Sequence, residues 1–145
     1  MKITTRGQYA VIVMEDLAKH NNGELVHTKD IAARNGISSK YLEQILAILS
    51  RCGYVYSVKG KNGGYRLAKR PDEYSIGDIL RVAEGSLEPI SGLDMELQSP
   101  SESNKIENML LWKGLYDAIN HYVDSITLEV LMKKKQELSE RNYSI

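Results

Sequence analysis

A mainly helical fold carrying one small β-hairpin follows from three observations. Apolar residues recur at spacings of three and four over residues 8–19, 38–49 and 105–126, the period of amphipathic helices. Two short β-prone runs flank the turn-rich stretch Lys59-Gly60-Lys61-Asn62-Gly63. The chain has 145 residues, the size of one domain or of one compact domain with an extension.

In the first helix, residues 8–19, Tyr9, Ala10, Val13, Met14, Leu17 and Ala18 share one face, and Asn21-Asn22-Gly23 break the pattern. Leu25 and Val26 make a short extended link. Thr28 can cap a helix from Lys29 to Asn35, which Gly36 suits as a left-handed stop. Ser38 is a second N-cap, after which Tyr41, Leu42, Ile45, Leu46 and Leu49 mark a longer helix ending at Gly53. A short helix, a glycine turn and a longer helix packed on a preceding helix form a helix-turn-helix. Tyr54–Val58 and Gly64–Leu67 then make a hairpin, which in this position is a wing. Pro71 and Asp72 close that unit, and Ser75 with Asp78 forms a capping box that opens a helix from Ile76 to Glu84.

Residues 86–104 are rich in Ser, Pro and acid without a sustained period and read as a loop. A long helix follows from about Lys105 to Asp124. Trp112, Leu115, Ile119, Tyr122 and Ile126 are spaced three and four apart along it, with Met109, Tyr116 and Val123 beside them. One small winged unit cannot cover so broad a stripe, so a second subunit is expected on one flank. Thr127 can cap a final helix from Leu128 to about Glu140. The organisation is therefore a winged helix-turn-helix at residues 1–85, a loop at 86–104, and dimerisation helices with a C-terminal tail at 105–145.

The zero net charge conceals a separation. Residues 1–70 hold 12 Lys and Arg against 5 Asp and Glu, whereas residues 71–145 hold 7 against 14. From Arg51 to Arg70 there are six basic residues and no acidic one, so a polyanion is a natural partner, unless the two halves pair with each other. Nothing approaches the roughly 18 apolar residues of a membrane span, and the polar N-terminus predicts a cytoplasmic protein. Cys52 is the one cysteine, and His20, His27 and His121 lack metal-ligand spacing, so neither a zinc nor a haem site is expected. An enzyme is not expected either, in the absence of a nucleophile elbow, a phosphate-binding glycine loop or a His and carboxylate paired at helical spacing.

Within this frame the DNA-binding candidates are Ser38, Ser39, Lys40, Tyr41, Glu43 and Gln44 at the start of the recognition helix. Gln can pair with adenine, Glu can accept from cytosine, and Ser or Tyr can serve base or phosphate. Tyr41 could instead pack its ring inward. Lys59, Lys61 and Asn62 at the wing tip suit phosphate or minor-groove contact, and Thr5 and Arg6 open the first helix, a usual place for a phosphate clamp. The dimer-interface candidates are Trp112, Leu115, Ile119, Tyr122 and Ile126. Cys52 beside Arg51 could act as a redox switch, but no resolving cysteine accompanies it.

Four strings together resemble the Rrf-two family of dimeric winged-helix transcription regulators: Lys2 to Ala10, Ile37 to Leu46, Gly53 to Leu67 and Ile126 to Leu131. The resemblance spans nearly the whole chain and implies a homodimeric repressor of double-stranded DNA. Relatives often carry Arg where this chain has Lys59, and Arg is preferred in narrow minor grooves. Cluster-binding members carry three cysteines in the loop before the dimerisation helix, whereas residues 86–104 contain none. Iron-sulfur clusters are held by thiolates, so the similarity shifts to the cluster-free branch that represses cysteine metabolism, and no cofactor is implied. A regulator with atypical iron-sulfur or redox ligands and a winged-helix protein-interaction module are the alternatives. In that branch the effector is a complex with cysteine synthase, whose cleft accepts tails ending in Ile. The terminal Tyr143, Ser144 and Ile145 are accordingly the partner-binding candidates, since a free carboxylate beside an aliphatic side chain is a compact ligand, although most chain ends are disordered.

Overall fold

The protein is described by a computed structural model covering residues 2–99 and 106–143. Its first helix, α1 (Thr5–Lys19), lies at the centre and buries Ala10, Val13, Met14, Leu17 and Ala18 against its neighbours. It begins three residues earlier than the apolar period, because Gly7 and the polar residues of its first turn carry no periodic signal. α2 (Thr28–Asn35) follows, with His27 rather than Thr28 at the N-cap and no side-chain cap bond. Gly36 ends it at φ +63°, a left-handed conformation that a side chain would disfavour. α3 (Ser39–Arg51) then starts from Ser38, whose hydroxyl accepts the Tyr41 N–H at 3.3 Å.

β1 (Val55–Val58) and β2 (Gly64–Leu67) form the antiparallel wing, with Val55 opposite Leu67 and Tyr56 opposite Arg66. Val26 joins as a third partner through reciprocal backbone bonds with Tyr65 at 2.7 and 2.9 Å. At the base of the wing, buried Tyr74 donates its hydroxyl to the Tyr54 carbonyl at 2.7 Å and accepts the Lys69 N–H at 2.9 Å. One buried phenol thus ties both strand ends to the core. The Ser75–Asp78 capping box is present, and α4 runs Ile76–Glu84.

The segment expected as a loop contains a short helix, α5 (Leu93–Gln98). Glu88 accepts the N–H groups of Gly92 and Asp94 at 2.9 and 3.0 Å, so a carboxylate satisfies the free donors of the first turn. α6 (Ile106–Asp124) packs on α4, where Gly77 permits the approach: a Cβ there would collide with Asp124 Oδ1. Residues 74–76 and 126–128 are joined by backbone bonds from Ile76 N to Ile126 O at 2.8 Å and from Leu128 N to Tyr74 O at 2.9 Å. α7 (Leu128–Tyr143) then returns across α1, with Leu128 fully buried, Thr127 Oγ1 capping Val130 N–H at 3.1 Å, and Lys135 meeting Glu15 at 2.6 Å. The start of the final helix, through Leu128, Leu131 and Met132, thus packs into the core of the winged unit. Among the described residues no helix is long and apolar enough to cross a membrane.

Candidate nucleic-acid interface

α3 has two chemically distinct faces. Leu42, Ile45, Leu46 and Leu49 are buried, each contributing roughly 1.5–3 kcal/mol on removal from water. That face fixes the rotation of the helix, leaving Ser38, Ser39, Lys40, Glu43 and Gln44 exposed in its first two turns. Donors, acceptors and a cation stand where a recognition helix meets base edges and phosphates. Tyr41 is half-buried and packs edge-to-face on Tyr9 with ring centroids 5.6 Å apart, so its ring braces α3 against α1.

Lys59, Lys61 and Asn62 are exposed in the turn between the strands. Gly60 has φ +109°, and a Cβ on Gly63 would collide with the Val58 carbonyl oxygen, so the shape of the turn depends on both glycines. Two features of the wing escaped the sequence reading. Arg66 lies 4.7 Å from the ring centroid of exposed Tyr56 across the strand pair, a cation–π contact that strand register would have revealed. His27, Thr28 and Ser57 share a cleft of about 260 Å³ with Lys59, which brings the start of α2 beside the wing turn.

The start of α1 differs from expectation in one respect. Thr5 and Arg6 are exposed, but Glu84 already occupies the helix terminus, accepting the Thr4 N–H at 2.9 Å and the Thr4 hydroxyl at 2.7 Å. A phosphate would find the side chains of Thr5 and Arg6 available, with a carboxylate competing for the backbone end. Of the cations between residues 51 and 70, Arg70 is paired with Asp72 at 3.1 Å.

The candidate dimer residues divide. Trp112, Leu115 and Tyr122 are exposed, whereas Ile119 and Ile126 are partly buried against the chain's own core. Leu110 and Leu111 are exposed as well, at 62% and 70%. Leu111, Leu115, Ala118 and Tyr122, spaced four, three and four, form one exposed stripe with the periodicity of a coiled-coil seam. Gly114 flanks it, and a Cβ there would meet nothing within 4 Å. Cys52 is the exposed C-cap of α3. Tyr143 closes α7, and Ser144 and Ile145 lie outside the described residues.

A family model described as Rrf2, iron-dependent transcriptional regulator, matches residues 3–134. The HTH-type transcriptional regulator CymR of Bacillus subtilis is 39% identical over 131 residues, covering 90% of this chain and 89% of the relative. The solved structure of CymR, named the global cysteine regulator of B. subtilis, superposes with a TM-score of 0.77 at 36% identity, over 92% of this chain and 98% of that one. IscR of T. potens superposes with a TM-score of 0.77 at 38% identity, over 95% and 90% of the two chains. The iron named in the family description does not fit this donor set. The sequence contains one cysteine, it lies at the end of α3, and among the described residues no group of three His, Cys, Asp or Glu could hold a metal. Between α4 and α6 stand carboxylates already engaged, with Asp94 accepting the Tyr116 hydroxyl at 3.0 Å.

Proposed function

Because this chain belongs to the Rrf2 family of DNA-binding transcriptional regulators, we propose that it is a homodimeric, sequence-specific repressor whose α3 reads operator bases. The observation that carries this reading is the polar, exposed start of α3 opposite a fully apolar inner face. Ser38, Ser39, Lys40, Glu43 and Gln44 read the major groove, with the hydroxyl of Tyr41 at its edge. Lys59, Lys61 and Asn62 contact the adjacent backbone, and Thr5 and Arg6 clamp a phosphate. A second copy covers Leu111, Leu115 and Tyr122 on α6, with Trp112 at the margin. Ile119 and Ile126 support the seam from beneath. Two readers held by one dimer engage two half-sites.

The regulon proposed is cysteine and sulfur metabolism, supported by the similarity to CymR and by the missing cluster ligands. On this reading the tail residues Tyr143, Ser144 and Ile145 dock in cysteine synthase and report cysteine status, and the protein works in the cytoplasm. Selection of bound fragments from host genomic DNA tests the main reading. Enrichment of an inverted repeat upstream of sulfur-metabolism genes is expected, and retention without sequence enrichment would overturn it. Calorimetry against the host's cysteine synthase tests the tail: deletion of Ile145 should abolish binding, and unchanged affinity removes the tail from the mechanism.

A further inference from the structure

Asp16 on α1 is a buried acid, 6% exposed, whose carboxylate is directed at another element. It accepts Arg34 Nη2 at 2.7 Å, Arg34 Nε at 3.0 Å and Asn35 Nδ2 at 2.9 Å, with His20 Nδ1 at 3.6 Å. Arg34 and Asn35 are the last two residues of α2. Asn35 also donates to the Ile31 carbonyl at 2.9 Å, which ties the clamp into the final turn. α2 itself buries a single residue, Ile31. Ile31, with partly buried Ala32 beside it, gives this eight-residue helix only a small apolar anchor, and a planar two-bond fork at one end limits its roll and tilt. The fixed end is the one that leads through Gly36 and buried Ile37 to Ser38, the first residue of the reading surface.

We propose that Asp16 is a positioning residue for DNA reading, its forked contact with Arg34 and Asn35 setting the orientation of α2 and so the angle at which Ser38 to Gln44 meet base edges. The inference rests on the assignment of α3 as the reading helix. Burial alone would push the Asp16 carboxyl up, but the hydrogen bonds of Arg34 and Asn35 and the charge of Arg34 hold it below its usual value, so the clamp is ionised at neutral pH. Its neighbour supplies an internal control. Glu15, 5% exposed, pairs with Lys135 of α7 at 2.6 Å rather than with the end of α2.

The test compares affinity for the duplex that the intact protein selects from a random library with affinity for a shuffled duplex of the same composition, at a temperature where melting curves show each variant folded. Asp16→Asn and Arg34→Lys should narrow that ratio by about tenfold or more, the discrimination carried by one well-placed base contact. Lys135→Ala should lower the melting temperature with the ratio intact. The double variant Asp16→Leu/Arg34→Met, which removes the buried carboxylate together with its partly exposed partner and leaves no uncompensated charge, should recover stability without recovering selectivity. If Asp16→Asn does not fold, Arg34→Lys, which keeps the charge and loses the fork, decides. An unchanged ratio in folded Asp16→Asn or Arg34→Lys, or selectivity that returns with stability in the apolar double variant, overturns the positioning role while leaving the reading helix in place. Failure of the intact protein to select any duplex would remove the reading helix and this inference with it.

Discussion

α3 and α6 are both helices with one face on the core and one in solvent, yet what they show to solvent differs in kind. α3 buries Leu42, Ile45, Leu46 and Leu49 and exposes hydroxyls, a carboxylate, an amide and an ammonium. α6 buries Met109 and half-buries Tyr116, Ile119 and Val123, yet still exposes Leu110, Leu111, Leu115 and Tyr122. The first helix is complete within one chain, and its outer face is equipped for a polar, charged partner. The second has an apolar surface left over, which in water calls for another apolar surface. Two solvent-facing helix surfaces in one chain can therefore be assigned to different partners by chemistry alone.

The largest effect should come from breaking the apolar side of this contrast. Leu115→Glu places a carboxylate in the proposed seam, where burial without a partner is costly, and should yield folded monomers in sedimentation equilibrium. Losing the second half-site should weaken operator binding by about 10²- to 10⁴-fold. A dimer that persists in this variant places the seam elsewhere.

Truncations sharpen the contrast. Leu46→Ala on the inner face of α3 should cost roughly 2–5 kcal/mol in denaturant unfolding, since it opens a cavity in the core. Leu111→Ala on the outer face of α6 should leave unfolding of the dilute monomer nearly unchanged while weakening self-association. Equal destabilisation of the monomer by both would mean that α6 is also complete within one chain.

A smaller effect concerns how α6 is held on α4. Arg81 donates to Asp124 through Nη1 and Nη2, both at 2.9 Å, and these hydrogen bonds hold the Asp124 carboxyl below its usual value. A depressed folded-state value means that the contact stabilises the protein fully above the ordinary aspartate range, about 3.9, and is lost as pH falls through the lowered value. Both partners are substantially exposed, so solvent screening keeps the contribution modest. Melting temperatures followed downward from pH 6 should fall more steeply for the intact protein than for Asp124→Asn. Parallel curves would show that the pair contributes nothing.

Local chemistry was legible and tertiary chemistry was not. Gly36, the Ser38 cap, the Ser75–Asp78 box and the two wing strands announce themselves within four or five residues, because each is stabilised by groups close in sequence. α5 gave no such signal: six residues are too few to show a period, and its cap is Glu88, outside the helix. The rotation of α6 was equally hidden. Trp112, Ile119 and Ile126 have the spacing of a seam, yet Ile119 and Ile126 face the chain's own core, a placement set by tertiary contacts such as the close approach of α6 at Gly77 and the backbone bond from Ile76 to Ile126. The occupation of the α1 terminus by Glu84, eighty positions away, has no sequence signature at all.

Gln44→Ala and Lys59→Ala, measured against the selected and the shuffled duplex over a range of salt concentrations, separate base reading by the start of α3 from backbone grip by the wing turn. Gln44→Ala should lose roughly 1–3 kcal/mol on the selected duplex and almost nothing on the shuffled one. Lys59→Ala should weaken both alike and flatten the salt slope by about one unit. Equal loss on the two duplexes for Gln44→Ala would contradict the account.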